Sequence, residues 1–317
     1  MQAVILDAAT LGNADLSSIL SNGDNWQVFD QTMPSEVEER IQGADIVLTN
    51  KVPIQRSAME SSELLKLVMI TATGTNNVDL NAADQLGKIV CNVRGYGSAS
   101  VAQHSLTMML NLATKMPLYL DDVREGEWHR RGQVTLIHRP IFELAGKRLG
   151  IIGYGQLGQA VAQIAKAFGM EVVRAARPGE ASNGDRIAIS ELLPTLDFLS
   201  LHCPLDDQNH HLINEDAFNL MPNHSYLINT ARGSLVDSEA LVNALVNQSI
   251  AGAAVDVLPI EPPEEEDILL RAQKSLPNLL ITPHNAWGAL ESRQRLVNQV
   301  ADIIESFHQG EPLNQVT

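Results

Sequence analysis

Apolar residues come in short unbroken runs along this chain, and each run is followed by a stretch with helical spacing. In the first third the runs cover residues 3–6, 46–49, 67–71 and 89–93. They are apolar through most of their length rather than alternating. That predicts strands buried on both faces, as in a parallel sheet with helices on each side. Between them, residues 35–42 read as a helix, with Ser35 and Glu38 at capping-box spacing. The middle of the chain repeats the pattern at residues 149–152, 171–174, 198–202, 226–229, 252–257 and 279–282.

Six strands with intervening helices is the count expected of a doubly wound dinucleotide-binding sheet. Two long helices are predicted at its flanks, over residues 98–114 and 289–307. The second carries Leu296, Val300, Ile303, Ile304 and Phe307 at helical spacing. If the first helix leaves the N-terminal unit and the second returns to it, the C-terminus completes that unit. The pattern therefore predicts an α/β chain of two doubly wound parallel-sheet domains. A Rossmann-type domain, residues 99–287, is inserted in a flavodoxin-like domain formed by residues 1–98 and 288–317.

Length and charge narrow the function. A chain of 317 residues holds two domains of ordinary size. With 38 acidic against 22 basic residues its net charge is −16, which disfavours nucleic-acid and anionic-membrane partners. A small anion can still bind in a locally basic pocket. Cys91 and Cys203 make neither a disulfide framework nor a zinc cluster, so no metal is expected and a reducing compartment is the simpler reading. The first residues lack the basic n-region of a secretory signal, and no apolar run approaches the roughly 18 residues of a membrane span. A soluble cytoplasmic protein is expected, in which the sequons at Asn223 and Asn247 stay unmodified. The polar residues 179–185 read as a surface loop. The acidic run 264–267 reads as a solvated face or a helix start.

After the strand at 149–152 comes Gly153-Tyr154-Gly155-Gln156-Leu157-Gly158. This is a GxGxxG sequence between a strand and a helix whose Val161, Ile164 and Phe168 share a face. Gly153 permits the tight turn, Gly155 lets the backbone approach a pyrophosphate, and Gly158 allows close helix–strand packing. The helix start offers N–H groups to the phosphates. The next strand decides the cofactor. Where an NAD site carries an acid for the ribose 2′-hydroxyl, this chain has Ala176, followed by Arg177. Alanine leaves room for a 2′-phosphate and arginine pairs with one, so NADP(H) is preferred and NAD(H) remains possible. Arg174 is a second candidate cation.

Three more segments end strands of the same block: 229–234 with Arg232, 254–263 with Glu261, and 281–287 with His284. Ligands of open α/β sheets bind beyond the carboxyl ends of strands. A histidine there can give or take a proton near neutrality, and a glutamate bonded to it orients the ring and raises its pKa. An arginine grips a carboxylate and polarises a carbonyl. That set suits reduction of a 2-keto acid. His210 and His211 lie in a polar loop, and His104 reads as a cap or packing residue.

In order, the segments GYGQLG, LHCPL (201–205), INTARGSLVD (228–237), AVDVLPIEPP (254–263) and TPHNAW (282–287) resemble the D-isomer-specific 2-hydroxyacid dehydrogenases, across essentially the whole chain. With LTNKVPI (48–54) and ATGTNNVDL (72–80), the likeness is strongest to bacterial glycerate dehydrogenases and hydroxypyruvate/glyoxylate reductases. The resemblance implies that Arg232 binds substrate, that Glu261 tunes His284, and that His284 is the acid–base group. It implies that Thr230, Ala231 and Asp256 line the nicotinamide, with His202, Cys203 and Pro204 near the cofactor. In the substrate domain it implies that Thr73 and Gly74 offer N–H groups to the substrate carboxylate, with Lys51 adding positive charge. It implies a homodimer through the crossing helix and an arm at residues 128–141. The expected function is an NADPH-preferring reductase of small 2-keto acids. Phosphoglycerate and D-lactate dehydrogenases, and a nicotinamide-sensing regulatory protein on the same fold, are the alternatives.

Overall fold

Residues of the apolar runs point alternately to two faces, and both faces are covered. In the computed structural model, which describes all 317 residues, the chain divides into two units: Met1–Gly97 with Gly288–Thr317, and Ser98–Trp287. Ser98 falls in the second unit rather than the first, because it opens the helix Ser98–Thr114.

The first unit holds β1 (Gln2–Ile5), β2 (Asn25–Val28), β3 (Ile46–Thr49), β4 (Leu67–Ile70) and β5 (Ile89–Asn92), all parallel, in the order β2-β1-β3-β4-β5. Strand order reverses direction between β1 and β3. The returning helix Leu290–His308 buries Leu296, Val300, Ile303 and Ile304. Its start is pinned by Arg293, whose Nη1 donates to the Leu11 carbonyl at 2.6 Å. At its end, His308 Nε2 and the chain's own ammonium group both reach Asp24, at 2.8 and 2.9 Å.

The second unit holds β6 (Arg148–Ile152), β7 (Glu171–Ala175), β8 (Arg186–Ile187), β9 (Phe198–Leu201), β10 (Tyr226–Asn229), β11 (Gly252–Val255) and β12 (Leu279–Ile281). The order β12-β11-β10-β9-β6-β7-β8 places the reversal between β6 and β9. Leu199 and Leu227 pack on one face with Leu241 and Leu245. Their neighbours Phe198 and Ile228 pack on the other with Met109, Leu112 and Val161. Two covered faces are why these strands read as continuous apolar runs.

Several expectations are corrected. β2 and β8 go undetected in the sequence because edge strands bond on one side only and need little apolar character; β2 is largely exposed. The Ser35–Glu38 capping box does not form. Pro34–Glu36 is a 3-10 turn ahead of the helix Val37–Ile41, and Glu36 Oε2 instead accepts from the Met33 N–H at 2.7 Å. Phe168 lies just past the helix Gln156–Ala167 and is exposed rather than on its buried face. Just past the arm, Phe142 packs inside its own unit beside Tyr226, at 5.5 Å between ring centroids, while Trp128 and Ile137 in the arm are exposed. Asp267 caps the helix Ile268–Gln273, so the acidic run does end in a helix start. No helix is long and apolar enough to cross a membrane.

Candidate active site

β6 delivers the glycine loop to the reversal point of the second sheet, the place where open α/β sheets bind ligands beyond the strand ends. Gly153 sits at φ +90°, and a Cβ there would lie 2.3 Å from the Cys203 nitrogen. A Cβ on Gly158 would lie 2.1 Å from the Gly153 carbonyl oxygen. At Gly155 a Cβ would meet nothing within 4 Å. Two glycines thus close the turn, and the third leaves space beside the exposed start of the helix Gln156–Ala167. No side chain caps that helix, so its first N–H groups are left for a ligand. Tyr154 and Leu157 are half-buried and Gln156 is exposed.

His202, Cys203 and Pro204 follow β9 on the far side of the reversal. His202 Nε2 lies 2.8 Å from Ser200 Oγ, whereas its buried Nδ1 has no partner in the chain. Burial pushes the Cys203 thiol up to about 11, which makes it a packing group rather than a thiolate. Burial also pushes the His202 imidazole down to about 4. An unfolded histidine titrates near 6.5, so below that pH the unfolded chain takes up a proton that the folded chain refuses. The stabilisation is therefore complete above pH 6.5 and is lost as the pH falls toward 4, by about 3 kcal/mol. Denaturant titrations near pH 7.5 and 4.5 are expected to show the parent losing about 3 kcal/mol more than His202→Gln. Equal losses in the two proteins would contradict this.

At the end of β7, Ala176 is buried and the Arg177 side chain is exposed without an ion pair. The Arg177 N–H donates to Glu180 Oε2 at 3.3 Å. Arg174, the second candidate cation, is already engaged: it pairs with Asp185 and its guanidinium lies 4.2 Å over the Tyr154 ring.

β10, β11 and β12 pair in register, with Asn229 beside Val255 and Val255 beside Ile281. The segments beyond them therefore leave the sheet side by side. Gly233 lets two of them touch, because a Cβ there would meet the Leu258 carbonyl carbon at 2.1 Å. The Leu258 N–H donates to Glu261 Oε1 at 2.9 Å, and Glu261 Oε2 meets His284 Nδ1 in a short hydrogen bond. Both side chains are partly exposed, 31% and 28%. With Nδ1 committed to the carboxylate, Nε2 is the ring atom left to exchange a proton with a ligand. Arg232 is half-buried. Its Nη1 donates to the Ala231 carbonyl at 2.7 Å, and it bridges no carboxylate. Thr230, Ala231 and Asp256 are all buried; Thr230 Oγ1 lies 3.1 Å from Ser105 Oγ.

His284 has φ +51°. For a non-glycine residue that conformation persists only where the surroundings impose it. Asp256 supplies the constraint. Its carbonyl accepts from the His284 N–H at 2.8 Å, and its carboxylate accepts from the N–H groups of Asn285 and Ala286 at 3.1 and 2.9 Å. Trp287 Nε1 donates to the His284 carbonyl at 3.1 Å.

In the first unit the reversal point has its own polar cluster. Lys51 is exposed after β3, and Thr73 and Gly74 follow β4, where Asn92 Nδ2 donates to the Thr73 carbonyl at 2.7 Å. Asp7, not singled out from the sequence, organises the loop that carries Lys51. Its carboxylate accepts from the N–H groups of Asn50, Lys51 and Val52 at 2.9, 2.7 and 3.2 Å. Burial pushes its pKa above the usual carboxylate value, against the opposing pull of those three N–H groups. An acid directly after the first apolar run was the available signal. His210 and His211 stack on one another at 4.0 Å in the loop before residue 213 and touch none of these groups. No group of metal-ligating side chains is present.

Residues 106–286 match the family described as D-isomer specific 2-hydroxyacid dehydrogenase, NAD binding domain. The chain is 40% identical over 283 residues to a glycerate dehydrogenase of Methylorubrum extorquens, covering 89% of this chain and 88% of that one. It is 36% identical over 325 residues to a hydroxypyruvate reductase of Blautia hydrogenotrophica, covering 100% and 99%. Among solved structures, an NADPH-dependent glyoxylate/hydroxypyruvate reductase of Sinorhizobium meliloti superposes with a TM-score of 0.84 at 25% identity, over 100% of this chain and 98% of that one.

Proposed function

The chain belongs to the D-isomer specific 2-hydroxyacid dehydrogenases, and from that premise we propose that it reduces small 2-keto acids, hydroxypyruvate and glyoxylate first among them, with NADPH as the preferred cofactor. It is an NAD(P)-dependent oxidoreductase. The observation that carries the catalytic assignment is the Glu261–His284 hydrogen bond at adjacent strand ends. The names of the relatives support the substrate class, and the solved NADPH-dependent neighbour supports the cofactor.

The glycine loop fits a dinucleotide: the space at Gly155 and the uncapped helix start take the pyrophosphate, and the unpartnered His202 Nδ1 lies just past the neighbouring strand. When bound, the nicotinamide supplies the hydride that goes to the keto carbon. The rest falls to side chains. Arg232, free of carboxylates, binds the substrate carboxylate and polarises the carbonyl. His284 Nε2 gives its proton to the oxygen as the carbon receives the hydride, and Glu261 steadies the imidazolium beforehand. Run backwards, Nε2 takes the hydroxyl proton and the 2-hydroxy acid is oxidised. The exposed Trp128, Val134 and Ile137 support a homodimer; a solution mass of one chain would overturn that assembly.

Initial rates with NADPH and NADH on hydroxypyruvate and glyoxylate test the function. Turnover with NADPH and little with NADH is expected. In Ala176→Asp the added charge would repel the 2′-phosphate, and the preference is expected to move toward NADH by about 10- to 100-fold. Turnover with NADH alone in the parent would remove the cofactor assignment and keep the enzyme. Pyruvate and a phosphorylated keto acid belong in the same panel, and no turnover with any of the four acids would overturn the substrate class.

A further inference from the structure

From the sequence, His104 is a cap or packing residue of the helix Ser98–Thr114. In the fold its ring reaches the strand ends. His104 Nε2 lies 3.0 Å from Thr282 Oγ1 and 3.5 Å from Asp256 Oδ1. Thr282 Oγ1 donates to Asp256 Oδ1 at 2.5 Å. A hydroxyl has one hydrogen, and this one is spent on the carboxylate. Thr282 therefore accepts from His104, which places a proton on Nε2. From Asp256, which is 1% exposed, the chain continues to the N–H groups of Asn285 and Ala286. The bonds converge on Asp256: His104 and Thr282 reach its carboxylate from the helix side, and the N–H groups of Asn285 and Ala286 donate to it from the backbone that follows His284.

That backbone needs holding, because His284 sits at φ +51°. The same helix supplies two further ties, Ser100 Oγ to the Ala286 carbonyl at 2.6 Å and Ser105 Oγ to Thr230 Oγ1 at 3.1 Å. These remain when His104 is changed, so its loss removes the donor that fixes Thr282 against Asp256 without detaching the helix.

We propose that His104 is a positioning residue for the reaction: through Thr282 and Asp256 its Nε2–H holds the backbone of residues 284–286, and so fixes where the His284 ring meets the substrate. The proposal rests on the assignment of His284 as the acid–base group.

The test compares the parent with His104→Leu, which loses the donor, and His104→Gln, whose amide nitrogen restores it. Two quantities are read: steady-state kinetics, and hydrogen exchange of the peptide spanning residues 282–287. His104→Leu is expected to lower kcat by about tenfold with KM for keto acid and cofactor within about twofold, since a small misplacement of a reacting group costs turnover first. Exchange at Asn285 and Ala286 should quicken. His104→Gln should recover kcat to within about threefold of the parent and slow the exchange again. A parental kcat in His104→Leu overturns the proposal even if exchange quickens. Equal losses in the two variants also overturn it, because they would mean ring packing and not the hydrogen bond. Should His104→Leu fail to fold, Thr282→Val breaks the same chain at its middle with little change of volume, and the same pattern is expected. If His284→Ala keeps parental turnover, the acid–base assignment fails, and the exchange rates still report whether His104 holds this backbone.

Discussion

Replacing His284 by alanine is expected to lower kcat by about 10³-fold while the dissociation constant for NADPH stays within about twofold. In the proposed mechanism the proton that reaches the substrate oxygen has one source. His284 Nδ1 is engaged by Glu261, and Nε2 is the atom left to act. The cofactor is assigned to other groups, the glycine loop and the strand ends beside it, so its binding should survive. The variant adds little strain to the fold, because the φ of +51° at this position costs alanine little more than histidine. Glu261→Gln should fall between parent and His284→Ala: an amide still meets the ring but lacks the charge that steadies the imidazolium. Single-turnover kinetics and equilibrium cofactor binding separate the two steps. Equal losses of turnover and cofactor affinity in a folded His284→Ala would reject its role in the chemistry.

The glycine loop carries the second large effect, and its three glycines are expected to fail in different ways. Gly153→Ala puts a Cβ into the Cys203 backbone at a φ of +90°. Backbone cannot step aside as a side-chain tip can, so the turn must open. A loss of stability of several kcal/mol is expected, of the order seen for strain combined with overpacking. Gly158→Ala meets the Gly153 carbonyl and should behave likewise. Gly155→Ala is different, because its Cβ meets nothing in the chain. Its melting temperature should match the parent's, whereas its affinity for NADPH should drop by about 10- to 100-fold, because the methyl group would stand in the space proposed for the pyrophosphate. Thermal unfolding without cofactor, set beside calorimetric binding, reads both. A Gly155→Ala protein that binds NADPH like the parent would show that the phosphates lie elsewhere.

Much of the fold was legible because the determinants are local. Strands buried on both faces are apolar at nearly every position, so β3, β4, β9 and β10 announce themselves, each with at most one polar residue. The helix Ser98–Thr114 was found end to end. β2 and β8 were not, since an edge strand with one neighbour can be built from residues such as Asn25, Gln27 and Arg186. The cap ahead of residues 37–41 uses a different pair from the one the spacing predicts, because Pro34 starts a tighter turn, which brings Glu36 rather than Glu38 to the Met33 N–H.

By itself the sequence determined the doubly wound pattern, the glycine loop and the three strand-end segments that carry Arg232, Glu261 and His284. In each, the chemistry depends on residues a few positions apart on one strand or turn, where backbone geometry leaves little freedom. Only the tertiary structure decided which side chains meet across the chain. Glu261 and His284 are 23 positions apart, Asp7 and Lys51 are 44 apart, and His104 and Thr282 are 178 apart. Nothing local distinguishes Asp7 or His104 from any other acid after a strand or histidine in a helix. Their partners are set by strand order and by the packing of a helix over the sheet, and a buried polar group is stable only where that packing brings it a partner.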